Sequence, residues 1–348
     1  MAVSDYALDP ELAPIVEAMI QAANGPLLDF SDVPALRARL RAAETPADAH
    51  SNAQNLADPR VNVETVQIAR DDGSLLDIVL FRPSDQPDPS DTSGPSNTSG
   101  PSGRQAEDRP KPALLWFHAG GQVLGSAHED APYHASLALA LDCVLAAVDY
   151  RLAPETEAPG AAEDGYLAYT YLREHATHLG IAPDRIGLAG ASGGGAPAAA
   201  TALMARDRHY PAPCLLALSY PMLDDRNETQ SSHEILDLGI VDRDQNLHAW
   251  SAVLGDRAGA PDLHPYCAPA RATDLAGLPP TFVAAAQFDV FRDENVDFAR
   301  KLIAAGVPVD LHVYAGAFHA WDRFAPKAAL TASFEQTWHT FLRRRLHG

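Results

Sequence analysis

The chain is 348 residues long, 46% hydrophobic and 21% charged, which allows one large domain or two modest ones with a substantial core. A formal net charge of −20, with lysine only at Lys111, Lys301 and Lys327, excludes a basic phosphate-tracking surface for nucleic acid and favours neutral or cationic small partners. No run approaches the ~18 apolar residues of a membrane span, and the opening MAVSDYALDPEL lacks the basic start and apolar core of a secretory leader, so the expected compartment is the cytoplasm.

In chain order, Leu12, Ile15, Val16, Met19 and Ile20 recur at helical period, and a weaker helical face runs through Val33, Leu36 and Leu40. Strand-like runs at 61–68 and 75–81 flank the turn signal Asp71-Asp72-Gly73 and predict an antiparallel hairpin. Residues 84–112 then turn to Pro, Ser, Gly, Asp and Thr, with TSGPS occurring twice; so little apolar surface predicts a flexible surface loop. Beyond it, apolar runs at 113–117, 143–148, 186–189, 214–218, 281–286 and 309–314 read as strands buried on both faces. Helical stretches at 161–175, 192–206, 292–305 and 326–346 alternate with most of them, so the expected class is α/β, a mainly parallel sheet between helices. Residues 222–262 interrupt that rhythm and read as a cap insertion, joined by the N-terminal residues 1–50; the core then comprises residues 51–221 and 263–348. The cysteines, Cys143, Cys214 and Cys267, lack metal or disulfide spacing and read as small buried hydrophobes.

The strongest chemical signal is Gly190-Ala191-Ser192-Gly193-Gly194. It follows an apolar run and opens an Ala-rich helix, the context in which a sharp strand-to-helix turn lifts a nucleophilic serine above a sheet. The same glycines, Gly187, Gly190 and Gly193, loosely match a dinucleotide loop. Against that, Asp207 falls at the end of the following helix rather than of the next strand, and no Tyr-x-x-x-Lys pair is present. A nucleophilic serine needs a base and the base an orienting acid, in the chain order Ser, acid, His at strand ends. Asp289 and His319 follow the runs at 281–286 and 309–314; Asp293 and Glu294 lie further into a helix, His312 lies within a strand, and His264 follows none. His118-Ala119-Gly120-Gly121 ends the run at 113–117, so Gly120, Gly121 and Gly193 are the candidate backbone donors to an oxyanion, with His118 bracing the loop. Closeness in sequence to these positions suggests Leu124, Met222, Phe291 and Phe318 for the substrate pocket and Trp250 for its entrance.

HAGG at 118–121, DYRLAPE at 149–155, GASGG at 190–194, FDVFRDE at 288–294 and GAFHAW at 316–321 together resemble the bacterial hormone-sensitive-lipase-like, or family IV, esterases, over nearly the whole chain apart from the Ser/Pro/Gly segment. The resemblance implies the α/β-hydrolase fold: an eight-stranded, mostly parallel sheet with a helical cap. It implies hydrolysis of short- to medium-chain acyl esters by a serine triad, no metal or organic cofactor, a small-molecule ester as partner, and, as in many members, a homodimer. Ala119 stands where the family usually has glycine, Ala191 where it has Asp or Thr, Gly193 where Ala is common, Val290 where Pro is frequent, and Ala320-Trp321 in place of Gly-Phe. These departures bear on pocket shape. Lactone or carbamate hydrolysis by the same triad, and a non-catalytic receptor on the same scaffold, are the competing readings; receptors of that kind have lost the histidine.

Overall fold

The structure, a computed structural model, describes residues 6–22, 27–43, 58–84, 109–236, 238 and 240–348. Residues 85–108, most of the expected loop, lie outside the described residues. Its expected end was placed too late, because Lys111 and Pro112 open a strand.

Eight strands form one sheet in the order β1-β2-β4-β3-β5-β6-β7-β8. They are β1 (Val61–Ala69), β2 (Leu75–Pro83), β3 (Lys111–Phe117), β4 (Val144–Val148), β5 (Ile181–Ala191), β6 (Leu216–Ser219), β7 (Thr281–Phe288) and β8 (Val309–Phe318). β1 and β2 form the expected hairpin, and β2 pairs antiparallel with β4; every other pairing is parallel. Burial follows position. Edge strand β1 is largely exposed, whereas β4 and β6 are buried at every residue, as parallel strands covered on both faces must be.

The helices are α1 (Ala13–Ala22), α2 (Val33–Ala43), α3 (Ala131–Leu141), α4 (Gly160–Glu174), α5 (Gly195–Asp207), α6 (Gln230–Glu234), α7 (Arg243–Leu254), α8 (Arg292–Ala304), α9 (Trp321–Phe324) and α10 (Ala329–Leu346). Strand pleating divides their packing. On β3, Leu114 and Trp116 join an apolar cluster with α3 and α10, while Ala113, Leu115 and Phe117 join the opposite cluster with α4, α5 and α8. The Ala-rich sequence of α5 is buried from Gly195 to Ala205, where small side chains let the helix sit close to the sheet.

Between β6 and β7 the chain leaves the sheet through α6 and α7. Asp242 caps α7 by accepting from the Gln245 N–H at 3.0 Å. The N-terminal segment packs on this excursion: the buried Phe30 N–H donates to Gln245 Oε1 at 2.8 Å, and the Tyr6 hydroxyl donates to the Glu234 carbonyl at 3.3 Å. Trp250 is only 1% exposed and packs into the core of this layer, so the expectation that it lines an entrance is corrected. Among the described residues, no helix is long and apolar enough to cross a membrane.

Candidate active site

β5 ends at Ala191, and Ser192 opens a 3-10 turn, Ser192–Gly194, that leads into α5. Ser192 has φ +52, a conformation costing a non-glycine residue about 1–3 kcal/mol, so its surroundings must hold it. One tie is the Met222 N–H, which donates to the Ser192 carbonyl at 3.0 Å. Close approach of the loop above is another: a Cβ on Gly193 would lie 2.4 Å from Gly121 N. That contact accounts for glycine here where the family commonly has alanine.

β8 delivers His319 and β7 delivers Asp289, each just past its strand end. The Ser192 hydroxyl lies 2.8 Å from His319 Nε2, and His319 Nδ1 lies 2.7 Å from Asp289 Oδ2. Asp289 is 1% exposed, and its second oxygen accepts the Phe291 N–H at 3.1 Å, so the carboxylate is fixed at both ends. The rings of Tyr220 and Phe291 stand edge-on to the imidazole, centroids 5.0 and 5.2 Å away, and set its plane.

The neighbouring acids do other work. Asp293 pairs with Arg292 at 2.7 Å and accepts the Ser231 N–H. Among the described residues Glu294 has no ion-pair partner; buried, it accepts the Leu223 N–H at 2.6 Å and the Asp224 N–H at 3.2 Å. Burial foremost, with Asp224 and Asp289 nearby, pushes its carboxyl well above the ordinary range.

Gly120 and Gly121 lie beside Ser192 with φ +118 and +61. A Cβ on Gly120 would strike the Leu124 carbonyl oxygen at 2.4 Å, because the loop folds back so that the Val123 and Leu124 N–H groups both reach the Gly120 carbonyl. His118 is buried, its Nδ1 2.8 Å from the Ala119 carbonyl and its ring stacked on Tyr150 at 4.1 Å; burial lowers its basicity. The Tyr150 hydroxyl in turn donates to the His118 carbonyl at 2.8 Å.

Residues 149–155 therefore scaffold this loop, a role that sequence reasoning left unassigned. Asp149 accepts the Ala127 N–H at 2.9 Å, Arg151 pairs with buried Asp164 at 2.9 Å, and Glu155 pairs with Arg37 at 2.7 Å. Ala320, next to His319, has φ +58, which explains the glycine common there in the family.

A cavity of about 210 Å³ opens onto Ser192 and His319. Leu28 and Phe30 from the N-terminal segment, Ile240, Val241 and Ala249 from the excursion, and Met222 and Phe291 beside the site give it apolar walls. Another part carries Tyr133, Asp130, Asp322 and Arg323. Arg323 pairs with Asp130 and lies 4.6 Å over the Tyr133 ring, while Asp322 accepts the Tyr220 hydroxyl at 2.7 Å. Met222 and Phe291 thus lie where sequence proximity put them, but Leu124 and Phe318 do not line the cavity. Phe318, fully buried, ends β8 just before His319 and packs into the core, its ring 6.2 Å from that of Phe324 on the cavity wall. Leu124 is drawn under the loop by its bond to Gly120. Leu28 and Ile240 fall in the stretches read as cap but carry no motif, so sequence alone did not single them out.

Strand order, the turn at Ser192 and the contacts of His319 define an α/β-hydrolase. The chain belongs to the α/β hydrolase fold family, whose sequence model matches residues 114–323. Esterase LipI of Mycobacterium tuberculosis is 35% identical over 240 residues, covering 68% of this chain and 74% of that one. Carboxylesterase NlhH of the same species is 34% identical over 238 residues, covering 68% and 74%. Among solved structures, the bacterial heroin esterase superposes with a TM-score of 0.81 at 35% identity, covering 98% of each chain. These findings bear out the resemblance to the hormone-sensitive-lipase-like esterases, and the protein is a carboxylesterase-type hydrolase acting on small-molecule esters.

Proposed function

We propose that the protein hydrolyses short- to medium-chain acyl esters through an acyl-enzyme on Ser192. The observation that carries this reading is the unbroken contact from Ser192 Oγ to His319 Nε2 (2.8 Å) and from His319 Nδ1 to Asp289 Oδ2 (2.7 Å). In the first half-reaction Ser192 Oγ attacks the ester carbonyl while His319 Nε2 takes its proton; Asp289 accepts from Nδ1–H, fixes the tautomer and stabilises the imidazolium. The N–H groups of Gly120, Gly121 and Gly193 donate to the oxygen that becomes negative. His319 returns the proton to the departing alcohol. Water, activated by the same imidazole, then attacks the acyl carbon and releases the acid.

The compact apolar walls support a modest acyl group, and the cavity of about 210 Å³ is below the roughly 300 Å³ at the small end of drug-sized sites. The cysteines are free thiols, which suits the reducing cytoplasm.

The test is turnover of p-nitrophenyl esters of increasing chain length, beside a set of lactones and carbamates, by the wild type and by Ser192→Ala. The substitution should lower kcat by something on the order of 10⁶, with best turnover on esters of short and medium chains. Near-normal ester turnover by Ser192→Ala would end the proposal, and a lactone preference would redirect its substrate assignment.

A further inference from the structure

We propose that Arg37, on α2 and outside every recognised motif, is a positioning residue that holds the oxyanion loop in its working shape. The inference rests on reading Gly120 and Gly121 as oxyanion donors. Successive residues Gly120, Gly121 and Gln122 have φ +118, +61 and +62. Gln122 bears a side chain, so the loop is not a conformation the chain prefers by itself, and something outside must hold it.

The hydrogen bonds identify that hold. Arg37 Nε donates to the Val123 carbonyl at 2.8 Å, and Nη2 donates to the Ala153 carbonyl at 2.7 Å. These two carbonyls belong to segments already joined to each other, since the Ala153 N–H donates to the Gln122 carbonyl at 2.9 Å. The third arm, Nη1, meets Glu155 Oε1 at 2.7 Å. A planar guanidinium presents Nε and Nη2 on one edge as parallel donors, which a lysine ammonium cannot reproduce.

One side chain thus ties the N-terminal helical segment to both the oxyanion loop and residues 153–155. The Arg37 side chain is 17% exposed and Glu155 is 64% exposed, so the grip on the two carbonyls carries more than the ion pair. Arg37 lies outside the cavity lining, so its effect passes through the loop and not through substrate contact.

The experiment compares Arg37→Met, Arg37→Lys and Glu155→Gln with the wild type. Its readouts are kcat and KM on p-nitrophenyl butyrate, thermal midpoint, and inhibition by an alkyl trifluoromethyl ketone, whose serine adduct carries the oxyanion. Losing one oxyanion donor costs about 10²–10³ in rate. Arg37→Met, which loosens the loop and keeps its donors, should lose on the order of 10- to 100-fold in kcat and a matching factor in ketone affinity, with KM within about twofold.

Arg37→Lys should show the same split to a lesser degree at an unchanged thermal midpoint, and it decides the matter if the methionine variant folds poorly. Glu155→Gln should stay within about threefold of the wild type. Folded variants with wild-type kcat and ketone affinity, or with a rise confined to KM, overturn the proposal. Ser192→Ala run alongside keeps the two readings separate: its inactivity with an unaffected Arg37→Met defeats the clamp alone, whereas its retained turnover defeats the serine mechanism.

Discussion

Asp164, on α4, is a heavily engaged carboxylate away from the active site, and its removal has a calculable effect. It is 1% exposed and accepts from Arg70 Nε at 2.7 Å, Arg70 Nη2 at 3.0 Å, and the Arg151 N–H at 2.8 Å and Nε at 3.0 Å. The Arg70 side chain is itself only 9% exposed. Asp164→Ala would leave that guanidinium with no carboxylate and the Arg151 N–H with no acceptor. Breaking a buried pair from one side costs about 3–5 kcal/mol, a hundred- to several-thousand-fold change in the unfolding equilibrium. Asp72 provides the control: 59% exposed and 3.7 Å from Arg151, with its closer bonds to the Ser74 N–H and hydroxyl at a surface turn, it is screened by solvent and its removal should cost far less. Asp164→Asn should fall between them, since its amide keeps one acceptor oxygen but turns an NH₂ toward a donor. Urea unfolding followed by tryptophan fluorescence gives all three values. If Asp164→Ala lies within about 1 kcal/mol of Asp72→Ala, the assignment of a burial-dependent ion pair is wrong.

Two other perturbations test separate parts of the structure. The folded state raises the Glu294 carboxyl well above its ordinary value of 4.5, so it retains a proton that the unfolded chain releases. Its contribution to stability is therefore complete below about pH 4.5 and declines as pH climbs toward the raised folded value. Glu294→Gln keeps an oxygen for the Leu223 and Asp224 N–H groups and removes the titration, so its thermal midpoint should fall less steeply over that range; parallel midpoint-versus-pH curves would refute this. Ala320→Gly should be mildly stabilising. Relief of a left-handed alanine at φ +58, worth about 1–2 kcal/mol, exceeds the roughly 0.4–1 kcal/mol of extra chain entropy in the unfolded state, and a lowered midpoint would contradict it.

Every strand was legible in the sequence, β1 as a strand-like run before a turn signal and the others as mainly apolar runs, although β5 begins earlier than its pattern suggested. Pro183, Asp184 and Arg185 look like a turn, yet they lie within the strand, where the pairing with β3 shifts register. Helix α3 was not legible: APYHASLALAL is apolar on nearly every side, so it has no face for a periodicity argument to find. At the site, Ser192, Asp289 and His319 could be picked out because each follows a strand whose end was visible. The cavity was another matter. Its walls at Leu28, Phe30, Ile240 and Val241 are brought in by the packing of two segments far apart in sequence. Phe318 shows why adjacency misleads: it ends β8 buried in the core, while His319, just past the strand end, opens onto the cavity.

The division of labour between sheet and excursion has an evolutionary consequence. β5, β6, β7 and β8 lie side by side in one parallel ladder, and the proton-handling side chains come from the ends of β5, β7 and β8. The polypeptide that leaves after β6 and returns at β7 supplies cavity wall and no part of that relay. Beyond Tyr220 and Met222, which hold the imidazole and the Ser192 carbonyl, insertions, deletions or exchange within that stretch can therefore change which molecules gain access while the ladder keeps the reactive atoms aligned. New specificities can arise in this scaffold by editing one span of chain, without rebuilding its chemistry.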